Sequence, residues 1–109
     1  MSIELPSTIH RYFETETTND TDSLSDLFSV EAVVIDEQKT YQGRDAIKVW
    51  KLEAKATTSY QVTPLEAEKA GEQYVVTGRV EGNFPGSPVQ LRYFFTLRDD
   101  QIAALEIKP

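Results

Sequence analysis

The chain contains no cysteine, so it forms no disulfide, offers no thiolate nucleophile and builds no zinc–thiolate site. It has one histidine, His10, which rules out a multi-histidine metal centre. No apolar run approaches the ~20 residues needed to cross a bilayer. The Met1 end lacks the basic and apolar stretches of a leader, and a cytoplasmic location is the expectation. Positive charge is scarce as well, with 11 basic against 18 acidic side chains and a formal net charge of -7. A surface of that sign repels phosphate backbones and anionic lipids, so neither nucleic acid nor membrane is an expected partner. There is no glycine-rich phosphate loop, and no Asp/Glu/His set has metal-ligand spacing, so no cofactor and no metal are expected. Asn19-Asp20-Thr21 matches a glycosylation sequon, which without a leader reads as chance.

What is present is 109 residues, 39% hydrophobic and 27% charged, uninterrupted by repeats or linkers. That length and balance suit a single folded domain over 1–109. Pro6 and Ser7 are helix-entry residues, and Ile9, Tyr12 and Phe13 follow at the spacing of a buried helical face, which predicts a first helix over 6–19. Thr21 or Asp22 is placed to cap a second, short helix with Leu24, Leu27 and Phe28 turned inward. Residues 32–36 and 39–42 read as strands across a polar turn. After Gly43 a third helix is predicted over 44–56, with Ala46, Ile47, Trp50 and Ala54 inward and Lys48, Lys51 and Lys55 outward. Trp50 is the expected anchor of that helix.

The second half reads as four strands, over 58–69, 72–84, 88–98 and 101–107, joined by short turns that make neighbours antiparallel. Pro85-Gly86 has the chemistry of a type II turn. Tyr74, Val76, Gly78 and Val80 alternate with Val75, Thr77, Arg79 and Glu81, as do Leu91, Tyr93, Phe95 and Leu97 with Arg92, Phe94, Thr96 and Arg98. Gly78 and Gly82 inside one strand suggest a bend or bulge. The fold class expected is α+β.

The order of these elements resembles the NTF2-like superfamily, the group that contains SnoaL-like polyketide cyclases and ketosteroid isomerases. The resemblance runs from Ile9 to Ile107 and is carried by Ile9-His10-Arg11-Tyr12-Phe13, by Leu27-Phe28, by Ala32-Val33-Val34-Ile35-Asp36, and by Tyr41-Gln42-Gly43-Arg44-Asp45-Ala46-Ile47, which is similar to the family's Gly-x-x-Ala-Ile helix start. It implies a cone in which three N-terminal helices close a strongly curved, mixed and mainly antiparallel sheet. It also implies a pocket lined by Tyr12, Val34, Asp36, Trp50, Tyr74, Tyr93 and Phe95, and a homodimer through the convex sheet face around Thr77, Arg79, Arg92 and Phe94. By the same resemblance Tyr12 and Asp36 are similar to the oxyanion-hole tyrosine and general-base aspartate of the isomerases. The chemistry is intelligible: a carboxylate beside an apolar cavity is poorly hydrated and a stronger base, and a phenol across from it donates to a developing oxyanion.

The isomerases' second donor, a late-strand carboxylic acid, has no counterpart here. That position falls near Tyr93, and residues 89–97 contain no acid. A steroid isomerase is therefore not the expected activity. Two readings stay open. One is a module that binds a small apolar molecule or serves as a dimeric structural unit. The other is a cofactor-free isomerase, cyclase or hydratase acting on a small apolar carbonyl compound, with Asp36 as base, Tyr12 as donor and Tyr93 assisting. Tyr41, Trp50, Tyr60, Tyr74, Tyr93 and Phe95 either line a ligand cavity or pack a core. His10 is expected at the surface, and Glu14, Glu16, Glu66 and Glu68 as solvated carboxylates.

Overall fold

The computed structural model describes residues 5–18, 21–57 and 59–109, which leaves Asn19 and Asp20 of the sequon outside the described residues. Pro6 offers its carbonyl to the His10 N–H, and helix α1 runs over Ser7–Thr18. Its inward stripe is Ile9, Tyr12, Phe13 and, one turn further, Glu16. The second helix, α2, spans only Thr21–Asp26. The sequence reading carried that helix on through Phe28, but the chain turns at Leu27. The Leu27 carbonyl accepts the Ile102 N–H at 2.8 Å, and this bond recruits Phe28 as the first residue of strand β1, Phe28–Asp36.

A two-residue turn joins β1 to β2, Lys39–Gln42, with Glu37 and Gln38 at φ 52° and 67°. Positive φ at both centres matches the right-handed twist of the paired strands. It also leaves Asp36, opposite Lys39, as the last residue of β1. Gly43, at φ 90°, donates to Ala32 and accepts from Ile47, opening helix α3, Arg44–Thr57. The third helix thus follows two strands, and only α1 and α2 precede the sheet.

The remaining strands are β3 Tyr60–Ala70, β4 Gln73–Gly82, β5 Val89–Arg98 and β6 Gln101–Lys108. They complete a six-stranded mixed sheet of order β2-β1-β6-β5-β4-β3, in which only the β1–β6 pair is parallel. The Phe84 to Ser87 turn closes through the Ser87 N–H on the Phe84 carbonyl, with Gly86 at φ 87°, as a type II turn requires. The irregularity expected at Gly78 lies in its partner strand, between Pro64 and Glu66. Gly78 itself makes room for Tyr93: a Cβ there would stand 3.0 Å from the Tyr93 ring.

One face of the sheet is covered by the helices, and Val62, Val76, Phe95, Ile102 and Leu105 are buried beneath them. At the centre is a cluster of aromatic edges. The Tyr12 ring meets Phe13, Phe95 and Phe28 at 5.2, 5.3 and 6.2 Å, each near perpendicular. On the outer face Phe94 is half-buried, and its ring carries the Arg92 guanidinium at 5.7 Å and the Lys108 ammonium at 5.6 Å.

Candidate functional site

Where β5 begins and β1 and β6 end, the covered face is not filled. A cavity of about 570 Å³ opens there, within the range of small-molecule sites. Val80, Val89, Leu91 and Ile107 give it apolar walls, and Tyr12, Asp36, Trp50 and Tyr93 line it as well. Three residues expected in the pocket lie outside it. Val34 and Phe95 are wholly buried in the packed interior, Phe95 beneath the rings of Tyr12 and Phe13. Tyr74 pairs with Phe95 across β4 and β5, further along the sheet than the cavity, and has Lys69 near its ring. Tyr93 and Phe95, two residues apart on β5, share its covered face, and Tyr93 reaches the cavity while Phe95 packs beyond it along the strand.

Asp36 does not fold back onto its own turn. Its Oδ2 accepts the indole N–H of Trp50 at 3.0 Å, and Oδ1 has no hydrogen-bond partner among the described residues. Trp50 is 5% exposed, and its ring leans on Tyr41 at 6.0 Å, so the carboxylate is held by a side chain that is itself locked.

The floor of the cavity overturns three surface assignments. Glu16 is buried, 2% exposed, and Lys51 donates to its Oε1. Lys51 is also buried and also donates to the Tyr60 hydroxyl at 3.3 Å, with its Nζ 4.2 Å from the Trp50 ring centre. Lys55 turns inward to the Glu16 backbone carbonyl at 2.8 Å and lies 3.9 Å from the Tyr60 ring centre. A signal for this was present in the sequence. Glu16 continues the stripe of Ile9, Tyr12 and Phe13, and Lys51 follows Ile47 and Trp50 at helical spacing, so one acid and one base of opposite sign sit on two buried faces. Glu14 and His10, by contrast, are exposed and meet each other at 3.1 Å, and Glu66 and Glu68 are exposed.

Two polar atoms in this floor are buried without a hydrogen bond among the described residues: the Tyr12 hydroxyl and Glu16 Oε2. Burial, and secondarily the Glu16 charge, raises the Tyr12 pKa well above that of an ordinary phenol. The same two causes, in the same order, raise Tyr60 and Tyr93. All three are therefore neutral hydroxyl groups at physiological pH. Burial lowers the pKa of Lys55, as does neighbouring Lys51, while Glu16 opposes the shift. Among the described residues no group of three or more His, Cys, Asp or Glu side chains could hold a metal ion.

A helix-covered mixed sheet with an open cavity at one end, and an aspartate and tyrosines on its wall, defines an NTF2-like α+β protein. The sequence model of the SnoaL-like domain matches residues 9–105, and the chain belongs to that family. No functionally curated protein matches the sequence significantly. Among solved structures, a Sinorhizobium meliloti protein proposed to be a polyketide cyclase is 46% identical, covers 95% of each chain and superposes with a TM-score of 0.92. A Catenulispora acidiphila protein of ketosteroid isomerase-like fold, solved in complex with trimethylamine, is 20% identical. It has a TM-score of 0.86 over 97% of this chain and 87% of its own. SalBIII, an epoxide hydrolase/cyclase-like enzyme of pyran ring formation in the polyether salinomycin, is 17% identical. Its TM-score is 0.81 over 94% of this chain and 87% of its own. The last two show likeness of fold alone. Among the described residues no helix is long and apolar enough to cross a membrane.

Proposed function

We propose that this SnoaL-like protein binds a small, predominantly apolar organic molecule in the cavity at the β5 entry, without a cofactor. The observation that carries this reading is the cavity itself: about 570 Å³ of unfilled space with aliphatic walls and a few convergent polar groups. A protein built only to present a surface gains nothing from leaving its interior unfilled, since unfilled space forfeits packing energy.

A second reading adds catalysis, and one feature favours it. Trp50 fixes one oxygen of Asp36, and the other is left without a partner on the cavity wall, which is the arrangement of a positioned general base. The 46% identical protein proposed as a polyketide cyclase supports proton transfer next to a carbonyl as the reaction class. Both readings meet one experiment, in which cyclic ketones are incubated with the protein in heavy water. Deuterium uptake beside the carbonyl is followed by NMR, and binding by the fluorescence of Trp50, the single tryptophan. Wild type is expected to bind and to accelerate exchange, and Asp36→Asn to lower exchange by about 10² or more while binding persists. Exchange undiminished in Asp36→Asn removes the base, and no binding by any ketone removes the cavity reading too.

A further inference from the structure

Buried polar atoms without partners are uncommon in folded proteins and call for an explanation. Here two of them belong to residues that line one cavity, and they have opposite requirements. Tyr12 and Glu16 are one turn apart on the inward stripe of α1, so their side chains are neighbours. The tyrosine offers a donor. The carboxylate offers an acceptor at Oε2, because Oε1 is taken by Lys51 and the Lys55 ammonium stands 3.6 Å from Oε2, too far for a hydrogen bond. One chemical group satisfies both at once: a hydroxyl, which accepts through its oxygen and donates through its proton.

We propose that the cavity floor is a receptor for a neutral hydroxyl group, the alcohol, enol or phenol end of an otherwise apolar ligand, which accepts from Tyr12 and donates to Glu16. The proposal rests on the reading of the cavity as a small-molecule site and names the class of molecule it takes. It departs from the oxyanion role that the resemblance implied for Tyr12. A developing anion beside Tyr12 would meet the Glu16 carboxylate, whose charge Lys51 balances at Oε1 and Lys55 from 3.6 Å off Oε2. An oxyanion has no proton to give Oε2, so the floor favours a group that keeps one. Tyr12, its ionisation suppressed by burial and by Glu16, remains a donor across the neutral range. Lys51 is the adjustable member. Its flexible side chain bonds Glu16, and its Nζ lies 5.6 Å from the Tyr12 ring centre, so its swing admits the ligand without moving the backbone.

The probes are borneol and camphor, one carbon skeleton bearing either a hydroxyl or a carbonyl, titrated against Trp50 fluorescence. A carbonyl accepts from Tyr12 but leaves Glu16 Oε2 unpaired. Borneol is therefore expected to bind roughly tenfold or more tighter than camphor, the range of one hydrogen bond to a charged group. That preference should vanish in the charge-balanced pair Glu16→Gln with Lys51→Met, whose amide can serve a hydroxyl or a carbonyl, whereas Tyr12→Phe, which keeps the ring, should weaken both probes together. Should the double variant fail to fold, Tyr12→Phe decides through the affinity that both probes lose. Camphor bound as tightly as borneol, a preference that survives in the double variant, or affinities that Tyr12→Phe leaves unchanged would overturn the receptor and leave the cavity reading standing. Binding of neither probe overturns the cavity reading, and the receptor with it.

Discussion

The interior has two ends built from the same helices and the same sheet, and they obey opposite rules. At the packed end Phe13, Phe28, Phe95, Ile102 and Leu105 meet edge to face or side by side, with no polar atom to satisfy. At the cavity end Glu16, Lys51, Tyr60, Trp50 and Asp36 are partly paired, and two of the polar atoms are buried without partners. Tyr12 is the partition, with its ring in the aromatic cluster of the first end and a place in the lining of the second. The difference shows where the fold concentrates stability and where it holds chemistry. Dense apolar packing is insensitive to pH and depends on volume, whereas the floor depends on charge balance and titrates.

The sharpest way to test that contrast is to damage each end in its own terms. Phe95→Ala removes most of a buried ring and is expected to cost about 3–5 kcal/mol in denaturant titration. Glu16→Gln changes almost no volume, yet it leaves the Lys51 ammonium buried without its counter-charge and should cost a similar ~3–5 kcal/mol. Adding Lys51→Met to Glu16→Gln should restore most of that loss, because a buried pair exchanged for neutral groups of like size is often tolerated. No second change of comparable size repairs Phe95→Ala. A Glu16→Gln protein as stable as wild type would mean that water already reaches the floor, and the two ends would no longer differ in kind.

Legibility in the sequence follows the same division. Patterns with a period, such as the helical stripes of α1 and α3 and the alternation in β4 and β5, gave the α+β architecture and most element boundaries. The packed end was legible because apolar residues mark their own burial. Phe28 was misplaced because a stripe that fits a helix also fits a strand start when the deciding bond, from the distant Ile102 N–H, lies 74 positions away in the chain. The cavity floor was hidden for a different reason. Glutamate and lysine at inward positions are read as solvated by default, since unpaired burial is prohibitive. Their pairing across α1 and α3 exists only in three dimensions. Resemblance placed both Asp36 and Trp50 in the pocket, but not the bond between them, because nothing in their 14-residue separation signals a contact.

A smaller effect separates the two ends by pH. Tyr12, Tyr60 and Tyr93 all have pKa values raised above the ordinary phenol value of 10.0, first by burial and then by Glu16. The folded protein therefore keeps protons that the unfolded chain releases above about pH 10. That stability is complete below this point and is lost as pH rises, with a slope approaching about 4 kcal/mol per pH unit if all three act together. Lys55, shifted down, works in the opposite sense, since the unfolded chain holds its proton to higher pH, but it is one group against three. Denaturant midpoints measured between about pH 9 and about pH 11 should fall steeply, and tyrosinate absorbance should appear with unfolding rather than before it. A flat profile would place these hydroxyls in contact with water.

The smallest predicted change carries the most information. Tyr12→Phe removes a single oxygen and leaves the ring among Phe13, Phe28 and Phe95. At a packed site where every polar atom is bonded, deleting a buried hydroxyl costs stability, because it orphans the partner it leaves behind. Here the hydroxyl has no partner to orphan, and folding already bears the expense of stripping it of water. Tyr12→Phe is therefore expected to be neutral or up to about 1 kcal/mol more stable than wild type, read from thermal or denaturant unfolding at neutral pH. A loss of more than about 1 kcal/mol would show that Tyr12 donates to Glu16 within the free protein. The floor would then be a closed network like any other core, with neither a contrast between the ends nor a vacancy for a hydroxyl. A gain, together with weaker binding of borneol and camphor alike, would identify an atom kept at the expense of stability for what it binds.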